Sequence, residues 1–381
     1  MTIDLAAYRA EFPITERYAF LSHAAVSPLS RRVQAAVQTY LDHAAREPFL
    51  AVFPHVLAQF AELKQRLARL INAASPDEIV FMPNTAAGIN TAAVSLPLRP
   101  GDNVLVLDGD YPANIYPWQQ LAYRGVLVKV VPQHKGGLDI DVLVRRIDHR
   151  TRVIALSSAM FATGFRNDLA AVGQLCHERG IYFVVDAIQT LGAFPLDVQA
   201  WHIDMLACGS QKWLLSTPGS GFLYVRRDLI RDLVPGAYVG AASSVSGQNY
   251  LDYNLTLPET AERFTLGTPN VANNLALLAA VKMLQEVGIE QIERQINTLV
   301  AALIDDLRER GYQLAADTAP EHRSGIVVAL VDNPNAVAHR LNEAGIVVTP
   351  RGAGVRIAPH FYNTLDEVLR VGEALDAATR P

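Results

Sequence analysis

Two residues of this 381-residue chain pair a reactive side chain with a position suited to presenting it. The run Ile181-Tyr182-Phe183-Val184-Val185 delivers Asp186, and the run Met205-Leu206-Ala207-Cys208 leads through Gly209-Ser210-Gln211 to Lys212. A lysine amine can hold an aldehyde cofactor as a Schiff base. A carboxylate can keep a pyridine nitrogen protonated, so that the ring accepts the electron pair left when a bond at a substrate α-carbon breaks. Both roles suit pyridoxal 5′-phosphate (PLP). Each residue also has a plainer reading: aspartates often end apolar strands or hold magnesium in P-loop proteins, and most lysines are solvated. The magnesium alternative fails because no G-x-x-x-x-G-K-[ST] occurs. An Asp and a Lys 26 residues apart, each at a strand end, are hard to explain as packing.

Elements of regular type must carry these residues. Apolar, β-rich runs at 78–82, 103–107, 126–130, 153–157, 182–186, 205–208 and 221–225 alternate with helical patterns at 54–71, 85–95 and 169–179. This alternation predicts an α/β fold, a three-layer arrangement with a mostly parallel sheet covered by helices on both faces. Ligands of such sheets bind beyond the carboxyl ends of the strands. Residues 235–258 are rich in Gly, Ser and Asn and read as a long loop. Helical patterns at 270–286 and 289–310 follow, then a strand at 325–331, a helix at 334–344, a strand at 355–359 and a last helix from Thr364. These predict a smaller α+β C-terminal domain. The expected division is a large cofactor-binding domain over 18–260 and a small domain over 261–381, with residues 1–17 packing on the latter.

Composition limits the alternatives. Half the residues are hydrophobic, 19% are charged, and the net charge of −5 comes without a basic cluster, which argues against a nucleic-acid partner. No apolar run is long enough for a bilayer, and Met1-Thr2-Ile3-Asp4 lacks a signal-peptide start, so no membrane association and a cytoplasmic location are expected. Two cysteines, Cys176 and Cys208, make neither a disulfide framework nor a zinc knuckle.

The segments 184–189 and Ser210-Gln211-Lys212 resemble the class V aminotransferase family of fold-type I PLP enzymes, and the likeness extends from about Phe20 to Tyr362. That family includes cysteine desulfurases, selenocysteine lyases, isopenicillin N epimerase and serine–pyruvate-type aminotransferases. Asn84-Thr85-Ala86-Ala87-Gly88-Ile89-Asn90 resembles its phosphate cup, where helix N–H groups and the Thr85 hydroxyl meet an anion. The same residues would also make an ordinary N-cap. The resemblance implies that Thr85 and Ala86 hold the phosphate, Tyr111 stacks on the cofactor ring, Gln189 bonds its phenolic oxygen, and Ser210 adds to the phosphate site. Arg263-Phe264-Thr265-Leu266-Gly267-Thr268-Pro269-Asn270 resembles the segment through which one subunit reaches its neighbour's phosphate, implying a homodimer with shared sites and a role for Thr268. Arg356, in Val355-Arg356-Ile357-Ala358-Pro359-His360, is implied to pair with the substrate α-carboxylate, and His23 to border the substrate. An arginine inside an apolar strand is in any case costly without an anion.

The chain departs from the desulfurase pattern. The stretch Thr349-Pro350-Arg351-Gly352-Ala353-Gly354 is short and free of Cys, Gln211 stands where desulfurases usually have His, and Phe161 falls near their usual Asn. A persulfide-forming desulfurase is therefore not expected. Transamination of an amino acid, with a keto acid as partner, is expected first, a Cβ–S lyase second and an epimerase third. All three begin with α-proton removal by Lys212. A protein that binds PLP without turnover is the remaining alternative.

Overall fold

The computed structural model describes residues 4–236, 238–245, 251 and 253–379. A short strand, β1 (Ala19–Phe20), precedes the main sheet. That sheet contains β2 (Ile79–Met82), β3 (Asn103–Leu107), β4 (Leu127–Val131), β5 (Thr151–Ser157), β6 (Tyr182–Asp186), β7 (Met205–Gly209) and β8 (Gly221–Val225). Their spatial order is β2-β8-β7-β6-β5-β3-β4. Only β8 runs antiparallel to its neighbours; the pairings among β3, β4, β5, β6 and β7 are parallel.

The apolar runs are continuous because the sheet is covered on both faces. Every residue of β3, β7 and β8 is buried. Side chains of period two divide between two cores. Leu105, Ile154, Phe183, Val185, Leu206 and Phe222 join one. Val104, Val153, Val184, Met205, Ala207 and Leu223 join the other. The helix Leu169–Arg179 contributes Val172 and Cys176 to the first face, and Thr85–Ser95 contributes Ile89, Ala92 and Ala93 to the second.

The C-terminal part holds an antiparallel sheet in the order β11-β12-β9, from β9 (Val327–Leu330), β11 (Thr349–Arg351) and β12 (Gly354–Ile357). A further strand, β10 (Ile346–Val347), pairs in parallel with β1. The N-terminal segment is held here as well: Arg9 forms an ion pair of 2.9 Å with Glu367, and the Phe12 ring stacks on Tyr362 at 3.8 Å. The strand expected at 126–130 lies one residue later, because Val131 completes the pairing with Leu107. Likewise 325–331 shortens to Val327–Leu330, and 355–359 becomes Gly354–Ile357. Within 235–258, residues 237, 246–250 and 252 lie outside the described residues; the rest is irregular apart from the turn Ala241–Ser243. Among the described residues no helix is long and apolar enough to cross a membrane.

Candidate active site

The carboxyl ends of β2, β3, β5, β6 and β7 open on one edge of the sheet, and the candidate residues gather there. After β2, Asn84 caps the helix Thr85–Ser95 by accepting from the Ala87 N–H at 2.8 Å. The N–H groups of Thr85 and Ala86 belong to the first turn, which has no intrahelical acceptors, so they remain for an anion. Thr85 Oγ1 accepts from the Gly209 N–H at 2.9 Å and ties the helix start to the end of β7. Two glycines permit this approach. A Cβ on Gly88 would stand 2.7 Å from the Ala207 Cβ, and one on Gly209 would stand 2.7 Å from Gln211 Oε1. Ser210 is buried, and its hydroxyl lies within hydrogen-bond reach of Thr217 O at 2.7 Å, Ser220 O at 2.9 Å and Ser220 Oγ at 2.7 Å. Its proton is thus engaged by the turn entering β8.

Lys212 follows β7, and its Nζ lies 5.6 Å from the centre of the Tyr111 ring. No hydrogen bond or ion pair engages that amine among the described residues. Burial pulls its pKa below the ordinary 10.5; Asp186 opposes the shift, and the charges of Arg356 and Arg351 reinforce it. The main chain here is anchored by Ser27, whose hydroxyl donates to the Lys212 carbonyl. Asp186 is buried at the end of β6, and its Oδ1 accepts from the Ile188 N–H at 2.9 Å. Burial raises its carboxyl well above the usual range; the Ile188 N–H and Lys212 oppose the rise, and Asp110 adds to it.

Asp110 is a second buried acid, which the sequence reading passed over in favour of its neighbour Tyr111. It accepts from Asn114 Nδ2 at 2.9 Å, the Tyr111 N–H at 2.6 Å, and both the N–H and the hydroxyl of Ser157. It thereby fastens the Tyr111 turn to the end of β5. Tyr111 itself is 45% exposed and meets Phe161 edge-on at 5.1 Å.

Gln189 is buried, with Oε1 accepting from Trp213 Nε1 at 3.1 Å and Nε2 donating to Ala24 O at 3.3 Å. One amide hydrogen is left for a further acceptor. His23 lies close behind the site, its ring 6.2 Å from that of Trp213, the residue after Lys212. It is fully buried, its Nδ1 lies 2.8 Å from Ala358 O and its Nε2 lies 2.6 Å from the Tyr362 hydroxyl, so both ring nitrogens are occupied. Burial lowers its pKa to about 4, and it holds the N-terminal segment against the strand end of Arg356.

Arg356, on β12, is 1% exposed. It donates to Phe161 O at 3.0 Å and Thr349 Oγ1 at 3.3 Å, while its Nε is buried with no partner. Burial lowers its pKa from 12.5 to about 9. A buried guanidinium with a spare donor and, among the described residues, no carboxylate partner is suited to receive an anion. Thr268 shares a cavity with Ala87 of the Thr85–Ser95 helix. It is exposed, on the rim of this cavity of about 450 Å3 lined by Met82, Ala87, Phe264, Leu266 and Asn270. Neither Lys212 nor Asp186 lines that cavity, so it is not the reacting centre.

These groups fit PLP. Asp186 has one oxygen without a hydrogen bond among the described residues, Lys212 has an unpartnered amine, and a helix start with free N–H groups sits against the same strand end. A ring at Tyr111 stands over the amine. Both cysteines are buried, with thiols that burial pushes far up, so neither is a poised nucleophile.

Residues 19–377 match the family described as Aminotransferase class-V. The uncharacterized aminotransferase YcbU of Bacillus subtilis is 29% identical, across 98% of this chain and 97% of its own. A protein of Methanothermobacter thermautotrophicus named as a probable cysteine desulfurase is 30% identical, across 97% and 96%. Among solved structures, the cysteine desulfurase CsdA of Escherichia coli superimposes with a TM-score of 0.88 at 26% identity, covering 99% of each chain.

Proposed function

The chain belongs to the class V aminotransferase family of PLP-dependent enzymes, and from that premise we propose that it transaminates an α-amino carboxylate, as one subunit of a homodimer. The observation that carries the reading is Arg356, buried with an unpartnered donor on the hairpin whose charge is felt at Lys212. A planar carboxylate suits that fork, and its arrival would offset the desolvation of the guanidinium.

Bound at this site, PLP supplies the sink for the electron pair of a broken α-carbon bond. The protein's own residues do the rest. The N–H groups of Thr85 and Ala86 hold the phosphate through the helix start. Asp186, as a buried carboxylate beside the ring nitrogen, would favour a proton there through its negative charge. Arg356 orients the substrate by its carboxylate. Lys212 Nζ, whose lowered pKa leaves more of it neutral near pH 7, would act as the general base that takes the substrate α-proton. Tyr111 closes one side as a ring without an acid–base role.

Elimination at a Cβ–S bond is the second reading, favoured by the desulfurase named among the relatives. A persulfide relay has no support, because the β11–β12 hairpin carries no Cys. Exposed Thr268 and the exposed apolar Leu266 beside it support a partner subunit over this face. Two free cysteines support a reducing, cytoplasmic setting.

Reconstituted enzyme is incubated with a panel of amino acids, with and without a keto acid. Conversion of the cofactor to its amine form, reversed by the keto acid, is the expected result. Ammonia and pyruvate from cysteine would favour the lyase. No visible absorbance change on adding PLP would overturn both.

A further inference from the structure

Arg351 is a cation beside the reacting centre to which the reading above gives no task. It ends β11, and the register Thr349↔Arg356 and Arg351↔Gly354 places Thr349, Arg351 and Arg356 on one face of the hairpin. The residue directly opposite Arg351 is Gly354, so no side chain stands between it and Arg356, its diagonal neighbour; such pairs lie roughly 7–8 Å apart. Gly354 is fixed as glycine, since a Cβ there would stand 2.4 Å from Ala329 O. Arg351 is half-buried, its Nε is buried without a hydrogen-bond partner, and no carboxylate pairs with it among the described residues. Its charge reaches both Lys212 and Arg356.

The two buried acids of the site do not answer it. Asp110 spends its oxygens on Ser157, Asn114 and the Tyr111 N–H, and Asp186 is committed to the Ile188 N–H and the cofactor ring. A substrate with one carboxylate would neutralise Arg356 and leave Arg351 facing it as an uncompensated like charge. We propose that Arg351 receives a second carboxylate, on the substrate side chain, so that the preferred substrates are acidic amino acids and the matching dicarboxylic keto acids. The inference rests on Arg356 taking the α-carboxylate.

Two measurements test it on the PLP-loaded enzyme. Calorimetric titration compares an amine-free dicarboxylate, glutarate, with the monocarboxylate butyrate. Turnover compares glutamate with glutamine and aspartate with asparagine. A charge-assisted contact predicts a preference of roughly 10- to 100-fold for the acid in both. Arg351→Ala should bring the acid-to-amide ratio of kcat/KM close to one, and Arg351→Lys should restore part of it. Arg356→Ala should weaken glutarate and butyrate alike; if it weakens neither, the carboxylate site of the proposed function is wrong whatever Arg351 does. If Arg356→Ala behaves as expected but wild type treats acid and amide alike, the inference about Arg351 fails by itself. It fails equally if Arg351→Ala keeps the preference, or sheds PLP without changing the ratio.

Discussion

Replacing Arg356 by Met should abolish substrate recognition and yet leave the cofactor-free protein at least as stable. The fall of the Arg356 pKa from 12.5 to about 9 corresponds to about 5 kcal/mol of differential cost for carrying the charge in place. Opposing it are the bonds to Phe161 O and Thr349 Oγ1, about 1.5–3 kcal/mol each for a charged donor. Methionine would lose those bonds but gain about 1.5–3 kcal/mol of apolar burial. The balance runs from about 0.5 to about 5 kcal/mol in favour of the variant, as for other buried charges replaced by apolar groups. The pH dependence has a definite sign. The folded pKa is depressed, so between about 9 and 12.5 the unfolded chain binds the extra proton, and wild type gains stability as pH rises through 9. The advantage of Arg356→Met should therefore be full at pH 7 and begin to narrow above pH 9. Thermal unfolding of both apo proteins at pH 7 and pH 9.5 checks this, at about 1–2 °C per kcal/mol for a chain of this size. A Tm that falls by several degrees in the variant would refute the reasoning, because it would mean the guanidinium is already compensated inside the protein.

Covalent capture of PLP by apo protein should accelerate with pH and level off below the ordinary lysine value of 10.5, since burial lowers the Lys212 pKa; rapid-mixing absorbance reads the inflection, and an inflection at or above 10.5 would contradict it. Lys212→Ala should show no borohydride-fixable PLP at all by mass spectrometry. Lys212→Ala and Thr268→Glu should each be inactive alone, yet mixing and refolding them together should restore roughly a quarter of native activity, because half the dimers are hybrids with one intact site; no recovery would exclude shared sites. Gly88→Ala should cost about 1–3 kcal/mol, since its Cβ would meet Ala207 at 2.7 Å, and should weaken PLP affinity by displacing the helix start. Urea unfolding and PLP titration measure the two effects, and unchanged values would show that the helix is free to shift.

How much was legible follows from how each residue is held. Asp186 and Lys212 were readable because β6 ends on Asp186 and β7 ends three residues before Lys212, so local sequence specifies their placement. The seven strands of the main sheet were readable because burial on both faces writes them as apolar runs; the bounds of β2, β5 and β7 differ at one end, and the edge strand β4, with Leu127 and Val130 exposed, is shifted by a residue at both ends. Asp110 was invisible because its role comes from Ser157 on β5 and Asn114 in its own turn converging on it, and only the fold brings Ser157 there. The partners of His23 were illegible for the same reason. The sequence places it near the substrate side, while the contacts that occupy both its nitrogens come from residues more than 330 positions away. Arg351 could have been noticed, since Arg-Gly-Ala-Gly-Val-Arg with a tight hairpin puts both arginines on one face.

The charges around Lys212 tie recognition to reactivity. Burial, with the charges of Arg356 and Arg351, lowers its proton affinity in the cofactor-free protein, and Asp186 raises it. An unprotonated amine is what cofactor capture needs, whereas α-proton abstraction needs an amine that binds the proton well. Substrate carboxylates supply the change. If Arg356 takes the α-carboxylate and Arg351 the side-chain carboxylate, as proposed, the repulsion at Lys212 falls while the pull of Asp186 stays, and the amine becomes a stronger base as the α-proton is presented. The inflection of kcat, measured at saturating substrate, should then lie above that of PLP capture by the apo protein. Substrates lacking the side-chain carboxylate should give a smaller upward movement, because one of the two repulsive charges is left standing.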